Sequence, residues 1–455
     1  MNKKDFRDLE WGVATSSYQI EGAYKKDGRG LSVWDTFSQK PNKIKNNENG
    51  NIACNHYNLW KDDVKLLSEL GVDNYRFSIS WPRIFPTGLE NTVNSKGIDF
   101  YSKLIDELLS YKITPFITLN HWDIPQGIED IGGWTNRTII DLFMHYAYTI
   151  SNHYGDRVKK WITHNEPWCI SNNGYLTGNF PPGIKNNGSK YFASIHHLLL
   201  SHGKSVPIIK SNSKDSEVGI TLNLCPSYPA SNSEYDQKAS NLFDGKFNRL
   251  FLDPIYKAKY PQDILDHFIE SNLILEEDLK NIHQNDLLDI NTKIDFLGVN
   301  YYSRAIIRDN NISKEKNQPI TTIKSSNKTS MGWEIYPKGL YDILLKINKD
   351  YDINSIYITE SGCAFSTNPD KNGDINDQNR IKYHDDHIKE LNKAIDKGVP
   401  CKGYFAWSLM DNFEWCEGYS QRFGLIWIDY KNQIRTPKNS FYWYKKMIQK
   451  EKTLR

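Results

Sequence analysis

Cysteine is scarce in this chain of 455 residues, and the six that occur stand far apart, at Cys54, Cys169, Cys225, Cys363, Cys401 and Cys416. No CxxC pair or short-range framework is present, so reduced thiols in a cytoplasm are expected rather than a disulfide scaffold. No stretch approaches about 18 consecutive apolar residues, which removes a transmembrane helix from the expectations. The opening MNKKDFRDLEWGVATSSYQIEGA lacks the apolar segment of a signal peptide. Neither sign of charge dominates: 57 basic and 55 acidic side chains leave a net charge of +2. That balance offers no electrostatic footprint for nucleic acid or an anionic membrane. No dinucleotide fingerprint follows a strand. HGKS at 202–205 has Leu198 where a phosphate-binding loop needs glycine. His196, His197 and His202 share a helical stretch without the i, i+4 pair of a helical metal site, so a structural or surface role is expected.

What the chain does have is aromatic residues: 13 Trp and 27 Tyr, many beside polar residues rather than inside apolar runs. Such side chains pair an apolar face with a hydrogen-bonding tip, which suits a ligand with both kinds of surface. Composition alone favours a large aromatic core over such a site. With 38% hydrophobic and 25% charged residues, the chain has the make-up of an ordinary globular protein. Its length fits one α/β barrel.

A repeating order runs along the sequence. In YNLWKDDVKLLSEL, 57–70, Leu59, Trp60, Val64, Leu67 and Leu70 fall at helical spacing; Gly71 stops the helix, and the strand VDNYRFSIS follows. Ile98, Tyr101, Ile105, Leu108 and Leu109 form a second helical stripe ahead of the strand ITPFITLN, 113–120. Further strands are predicted at Trp11–Thr15, Lys160–Asn165, Val218–Asn223, Ile294–Asn300, Ser355–Thr359 and Lys402–Trp407. Eight strands separated mostly by helices predict parallel pairing and a single-domain (β/α)8 barrel over residues 1–455, with a doubly wound open sheet as the alternative. The Asn/Lys/Ser-rich stretches 40–51, 185–190 and 309–328 read as surface loops, and no linker separates domains.

Polar and aromatic residues collect where these strands end: FSISW on the second, NHWD on the third, HNEPW on the fourth, NYYS on the sixth, TESG on the seventh and WSLMDNFEW on the eighth. In a barrel those ends form the active-site face. Two glutamates stand among them, Glu166 and Glu360, on strands across the mouth from each other. A glutamate at a strand end usually just meets water or a lysine. Two of them facing one cavity can divide acid and nucleophile roles if their environments differ.

HNEPW, YITESG, GVATSSYQIEG at 12–22, YRFSISWPRIFP at 75–86 and DNFEWCEGYSQRFG at 411–424 together resemble the family-1 glycoside hydrolases, the β-glucosidase family. The resemblance runs from about Glu10 to Trp443. It implies a retaining β-glucosidase releasing terminal β-D-glucosyl, and also β-galactosyl or β-fucosyl, residues from small O-glycosides or cellobiose-type oligosaccharides, with no cofactor and no metal. Glu166 resembles the acid/base and Glu360 the nucleophile of a double displacement, which requires carboxyls roughly 5–5.5 Å apart. Arg76 resembles the arginine paired with the nucleophile, and Tyr302 the tyrosine that orients it, with Asn300 in the same polar shell. Gln19, His121, Trp122, Asn165, Glu414 and Trp415 match the family's sugar contacts, and Trp407 its indole platform. Asn165 is implied to hold the 2-hydroxyl. Trp333 resembles the leaving-group wall, while Trp168 suits that wall and core packing alike.

Glu414 and Trp415 stand where 6-phosphoglycosidases need a cationic pocket, so unphosphorylated sugars are expected and a 6-phospho-β-glucosidase is the alternative. A non-catalytic sugar-binding protein on the same barrel would be expected to lose a carboxylate, and both are present. Ser361, where the family usually has Asn, and His164, where an apolar residue is expected, depart from the pattern beside the two glutamates.

Overall fold

The computed structural model describes residues 9–89, 92–309 and 327–453. Eight parallel strands are numbered here in barrel order: β1 Glu10–Ala14, β2 Asn74–Ser78, β3 Thr114–Asn120, β4 Lys160–Asn165, β5 Glu217–Asn223, β6 Phe296–Tyr301, β7 Ile356–Ser361 and β8 Cys401–Trp407. Barrel order equals chain order, and β8 closes onto β1 with Gly12 opposite Phe405. That closure removes the open-sheet alternative. Each predicted strand is present, with ends that move by at most two residues.

Helices run between the strands, among them His56–Leu70, Ser95–Ser110, Ile139–Tyr154, Gly188–Asn212, Pro337–Asp350 and Gln378–Asp396, with Asn439–Thr453 after β8. Gly71 ends the first of these as its sequence suggests. At φ +80° it takes the left-handed conformation that glycine adopts without strain, and its N–H donates to the Leu67 carbonyl at 3.1 Å. The expected loop at 185–190 is shorter than read, because the helix begins at Gly188, capped by the Asn187 side chain accepting from the Lys190 N–H. Residues 40–51 are a loop with one helical turn at Lys45–Asn47. Of the stretch 309–328, residues 310–326 lie outside the described residues. HGKS sits within the helix Gly188–Asn212, where Gly203 packs against the Asp289 carbonyl.

The three histidines of that helix are all buried, which settles their role as structural rather than surface. His196 Nε2 meets Asp286 Oδ2 at 2.9 Å, His197 Nδ1 meets the Trp134 carbonyl at 2.9 Å, and His202 Nδ1 meets Thr163 Oγ1 at 2.7 Å.

Inside the barrel, Phe116 packs edge-on against Phe296, Tyr357 and Phe405 at centroid distances of 5.2–5.4 Å. This aromatic plug forms a dry floor. One inward step further along the strands come Thr118, Gly298, Thr359 and Trp407, since alternate strand residues share a face. The side chains thus turn from apolar to polar towards the C-terminal strand ends, where the cavity opens. No helix among the described residues is long and apolar enough to cross a membrane.

Candidate active site

Both glutamates reach the barrel mouth through a break in strand alternation. Between β4 and β5 the pairing runs Ile162 with Gly219, then Asn165 with Thr221, so β4 absorbs one extra residue. Such a bulge re-aims the residues that follow it. Thr163 and His164 both face the helix Gly188–Asn212, His164 Nε2 meeting Ser201 Oγ at 2.9 Å. Asn165 and Glu166 swing inward. Glu166 sits at φ +48°, a conformation few non-glycine residues adopt, tied down by its N–H to the Thr221 carbonyl at 2.9 Å. On β7 the pairing to β6 goes from Val299–Ile358 to Asn300–Glu360, again with one residue too many. Thr359 and Glu360 therefore both face the interior.

The bulges also account for the two departures beside the glutamates. His164 stacks on Phe143 at 4.4 Å and lies 3.1 Å from the Asn120 amide nitrogen, on the helix side of β4. Burial holds its imidazole neutral, with His202 adding to the effect. Ser361 is buried towards the Tyr383 hydroxyl, 3.4 Å away on the helix Gln378–Asp396. Neither points at the cavity.

The glutamates have different partners. Arg76 donates from Nη1 to Glu360 Oε1 at 2.7 Å, and Tyr302 donates from its hydroxyl to Oε2 at 2.5 Å. Arg76 is fully buried and also donates to Thr118 Oγ1, to the Thr359 carbonyl and to Asn165 Oδ1. Among the described residues, no cation is in contact with Glu166. Its Oε1 accepts from Asn300 Nδ2 at 2.7 Å, and its Oε2 accepts from the Cys169 thiol at 3.1 Å. Asn300 Nδ2 also reaches Asn165 Oδ1 at 3.0 Å. A continuous chain of hydrogen bonds thus links Glu166 through Asn300, Asn165 and Arg76 to Glu360.

Those partners separate the two acids. Burial, then the charge of Glu360, lifts the Glu166 carboxyl from its ordinary value to about 7. Burial lifts Glu360 too, but the Arg76 guanidinium and the Tyr302 hydroxyl oppose the rise. With a guanidinium bonded to Glu360 and none among the described residues bonded to Glu166, the proton of the pair is favoured on Glu166. Glu414 is lifted to about 8, by burial first and then by the charges of Glu360 and Glu166.

A cavity of about 690 Å³ opens above the pair. Of the predicted site residues, its lining includes Glu166, Glu360, Asn300, Tyr302, His121, Trp122, Trp333, Trp407, Glu414 and Trp415. Arg76, Asn165 and Gln19 are fully buried behind that wall. Gln19 Nε2 donates to Asn412 Oδ1, to the Phe413 carbonyl and, at 3.5 Å, to Glu414 Oε2, while its Oε1 accepts from Ser16. With its Oδ1 engaged, Asn165 has only Nδ2 to offer, 3.1 Å from His121 Nε2. His121 is neutral through burial, stacks between Trp407 and Trp415, and leaves Nδ1 without a partner among the described residues. The Trp122 indole N–H donates to the Asn165 carbonyl at 2.8 Å, so this residue presents a ring face rather than a donor. Trp168 lines the cavity with its ring 4.4 Å from Phe247 and also packs against the hydrophobic core.

Cys169, Phe180, Asn223, Phe247 and Met331 also line the cavity and were not foreseen. Asn223 ends β5, and reading that strand end as the others were read would have found it. The remaining four lie on helices and loops with no local signal.

Residues 2–453 match the sequence model of glycosyl hydrolase family 1, and the chain belongs to that family. It is 45% identical over 451 residues to β-glucosidase A of Thermotoga maritima, covering 98% of both chains. A solved structure of β-glucosidase from Thermotoga maritima in complex with glucoimidazole superposes with a TM-score of 0.93 at 44% identity, covering 99% of this chain and 100% of that one. A 6-phospho-β-galactosidase of Clostridium acetobutylicum is more distant, 38% identical over 468 residues and 98% of this chain.

Proposed function

We propose that the whole chain, residues 1–455, is one catalytic domain that hydrolyses terminal β-D-glucosyl residues of small, unphosphorylated O-glycosides with retention. The observation that carries this reading is the unequal pair: Glu360 held by Arg76 and Tyr302, Glu166 held by the neutral donors Asn300 and Cys169. Glu360 attacks the anomeric carbon as Glu166 protonates the departing oxygen. Once the glycosyl ester forms, the negative charge of Glu360 is gone and the pKa of Glu166 falls. Glu166 then takes a proton from the incoming water, which releases the sugar. Asn165 and Asn300 hold the sugar next to this pair, where a hydrogen bond to the 2-hydroxyl strengthens in the transition state. Gln19, His121, Glu414 and Trp415 recognise the remaining hydroxyls, with Trp407 as the platform. Trp122 backs Trp415, their rings 4.5 Å apart, and Trp333 with Trp168 walls the leaving-group side.

Relatives named β-glucosidase support the glucoside reading, and six free thiols support a reducing, cytoplasmic setting. Degradation of cellobiose-type oligosaccharides follows from the same site. A panel of nitrophenyl glucosides, galactosides and fucosides, each with and without a 6-phosphate, tests the substrate. The unphosphorylated glucoside is expected to turn over fastest, and preference for the phosphorylated one overturns the reading. Glu414→Ser is expected to lower kcat/KM for the glucoside about tenfold or more, the scale of a lost hydrogen bond to an ionisable group. An unchanged specificity profile in that variant removes Glu414 from sugar recognition.

A further inference from the structure

Cys169 belongs to the short helix Pro167–Ser171 that begins directly after Glu166. Its backbone N–H donates to the Glu166 carbonyl at 2.9 Å, which brings side chains three residues apart onto one face. The thiol donates to Glu166 Oε2 at 3.1 Å. On its other side, Asn223 Nδ2 at the end of β5 donates to the same sulfur at 3.7 Å. Sulfur is a weak acceptor with one proton to give, so an amide donor on one side leaves S–H to point at the carboxylate. Both Cys169 and Asn223 line the cavity.

We infer that Asn223 and Cys169 form a positioning pair that orients Glu166 and sets how readily its Oε2 gives up and regains a proton. The inference rests on the acid/base reading of Glu166. With Oε1 occupied by the Asn300 amide, Oε2 is the oxygen left to carry the transferable proton, and Oε2 is the one that the thiol touches. A thiol suits a group that must change state in each half of the reaction: it favours the carboxylate, but less strongly than a hydroxyl or a cation would. Burial and the adjoining carboxyl push the thiol well above its ordinary range, so it remains a donor throughout. The Cys169 hydrogen bond is among the influences that lower Glu166 against its burial. The other titratable groups facing Glu166 are Glu360 from β7, Arg76 from β2, Tyr302 after β6, Glu414 after β8 and neutral His121 after β3.

The test is the basic limb of the kcat/KM–pH profile on an alkyl glucoside, whose departure needs the acid. Cys169→Val adds a methyl-sized group and removes the donor, so the limb is expected to move to higher pH by about half a unit or more. Cys169→Ser restores a donor and is expected to bring the limb back to the wild-type position or below it. Asn223→Ala, which frees the thiol to rotate, is expected to move it upward by a smaller amount. A side chain that merely walls the cavity would change KM and leave the limb in place, so an unmoved limb in folded Cys169→Val overturns the inference. Should that variant not fold, an unmoved limb in Asn223→Ala does the same. Glu166→Ala, assayed on the same alkyl glucoside, separates the two readings. If its basic limb persists unchanged, the acid/base assignment itself fails. If the limb is lost there yet is indifferent to Cys169 and Asn223, only the positioning pair fails.

Discussion

Replacing Glu360 by glycine lowers turnover of β-glucosides by about ten-thousand-fold or more, the scale on which enzymes lose rate with their nucleophile. Added azide then restores turnover of substrates with activated leaving groups, and the product is the α-glycosyl azide. The reason lies in what the substitution leaves behind. Arg76 still donates to Thr118, to the Thr359 carbonyl and to Asn165, but its Nη1 loses Glu360 Oε1. A small anion entering the vacated space meets that buried guanidinium on the face from which the carboxylate attacked, and a single displacement from there inverts the anomeric centre. Nuclear magnetic resonance of the product reads the configuration directly. A β-azide, or no rescue in a variant whose circular dichroism matches the parent, removes Glu360 from the nucleophile role. The folding check is needed because an unpaired buried guanidinium costs stability, roughly 3–5 kcal/mol when one partner of a buried pair is removed. Glu360→Gln, which retains an acceptor for Arg76, is expected to be equally inactive, more stable and not rescued.

The barrel was legible because its signals are periodic. Helical stripes such as Val64, Leu67 and Leu70, a glycine stop and a β-branched strand recur along the chain, and a period survives errors at single residues. The glutamates were legible as motifs at strand ends. What escaped were departures from period. Strict alternation from Ile162, which faces the barrel interior, would put His164 inside and Asn165 outside, yet the bulge on β4 reverses both. On β7, Thr359 and Glu360 face the same side for the same reason. A one-residue bulge leaves no mark on a pattern read over two. The far wall was hidden for a different reason. Phe180 and Phe247 reach the cavity only because the loop after β4 and the helices after β5 fold back over it, a tertiary fact that no local spacing encodes. The upward shift of Glu414 was equally invisible, since it depends on burial in the folded barrel and then on Glu360 and Glu166 arriving from two other strands.

Replacing Glu166 by alanine separates substrates by their leaving groups. A dinitrophenolate leaves without a proton, so the first step for that substrate is spared and kcat/KM falls by no more than about tenfold. An alkoxide needs the proton, and for an alkyl glucoside the loss is expected at about a thousandfold to ten-thousandfold, the upper range for general acid catalysis. The pH profile changes as well, with a sign set by the buried carboxyl. Glu166 titrates near 7, pushed up by burial and by Glu360. Below that pH it holds the proton it must donate, and activity falls as pH rises through this region; in the alanine variant the fall is absent. Azide distinguishes this variant from the nucleophile replacement. The glycosyl ester on Glu360 still forms, lacks a base to activate water, and is opened by azide from the opposite face, which gives the β-glycosyl azide. The two variants are therefore expected to yield opposite anomers from one substrate and one added anion, a result that two displacements on opposite faces produce and a single displacement cannot. Equal losses on aryl and alkyl glucosides, or the same anomer from both variants, would sink the assignment of roles to Glu166 and Glu360.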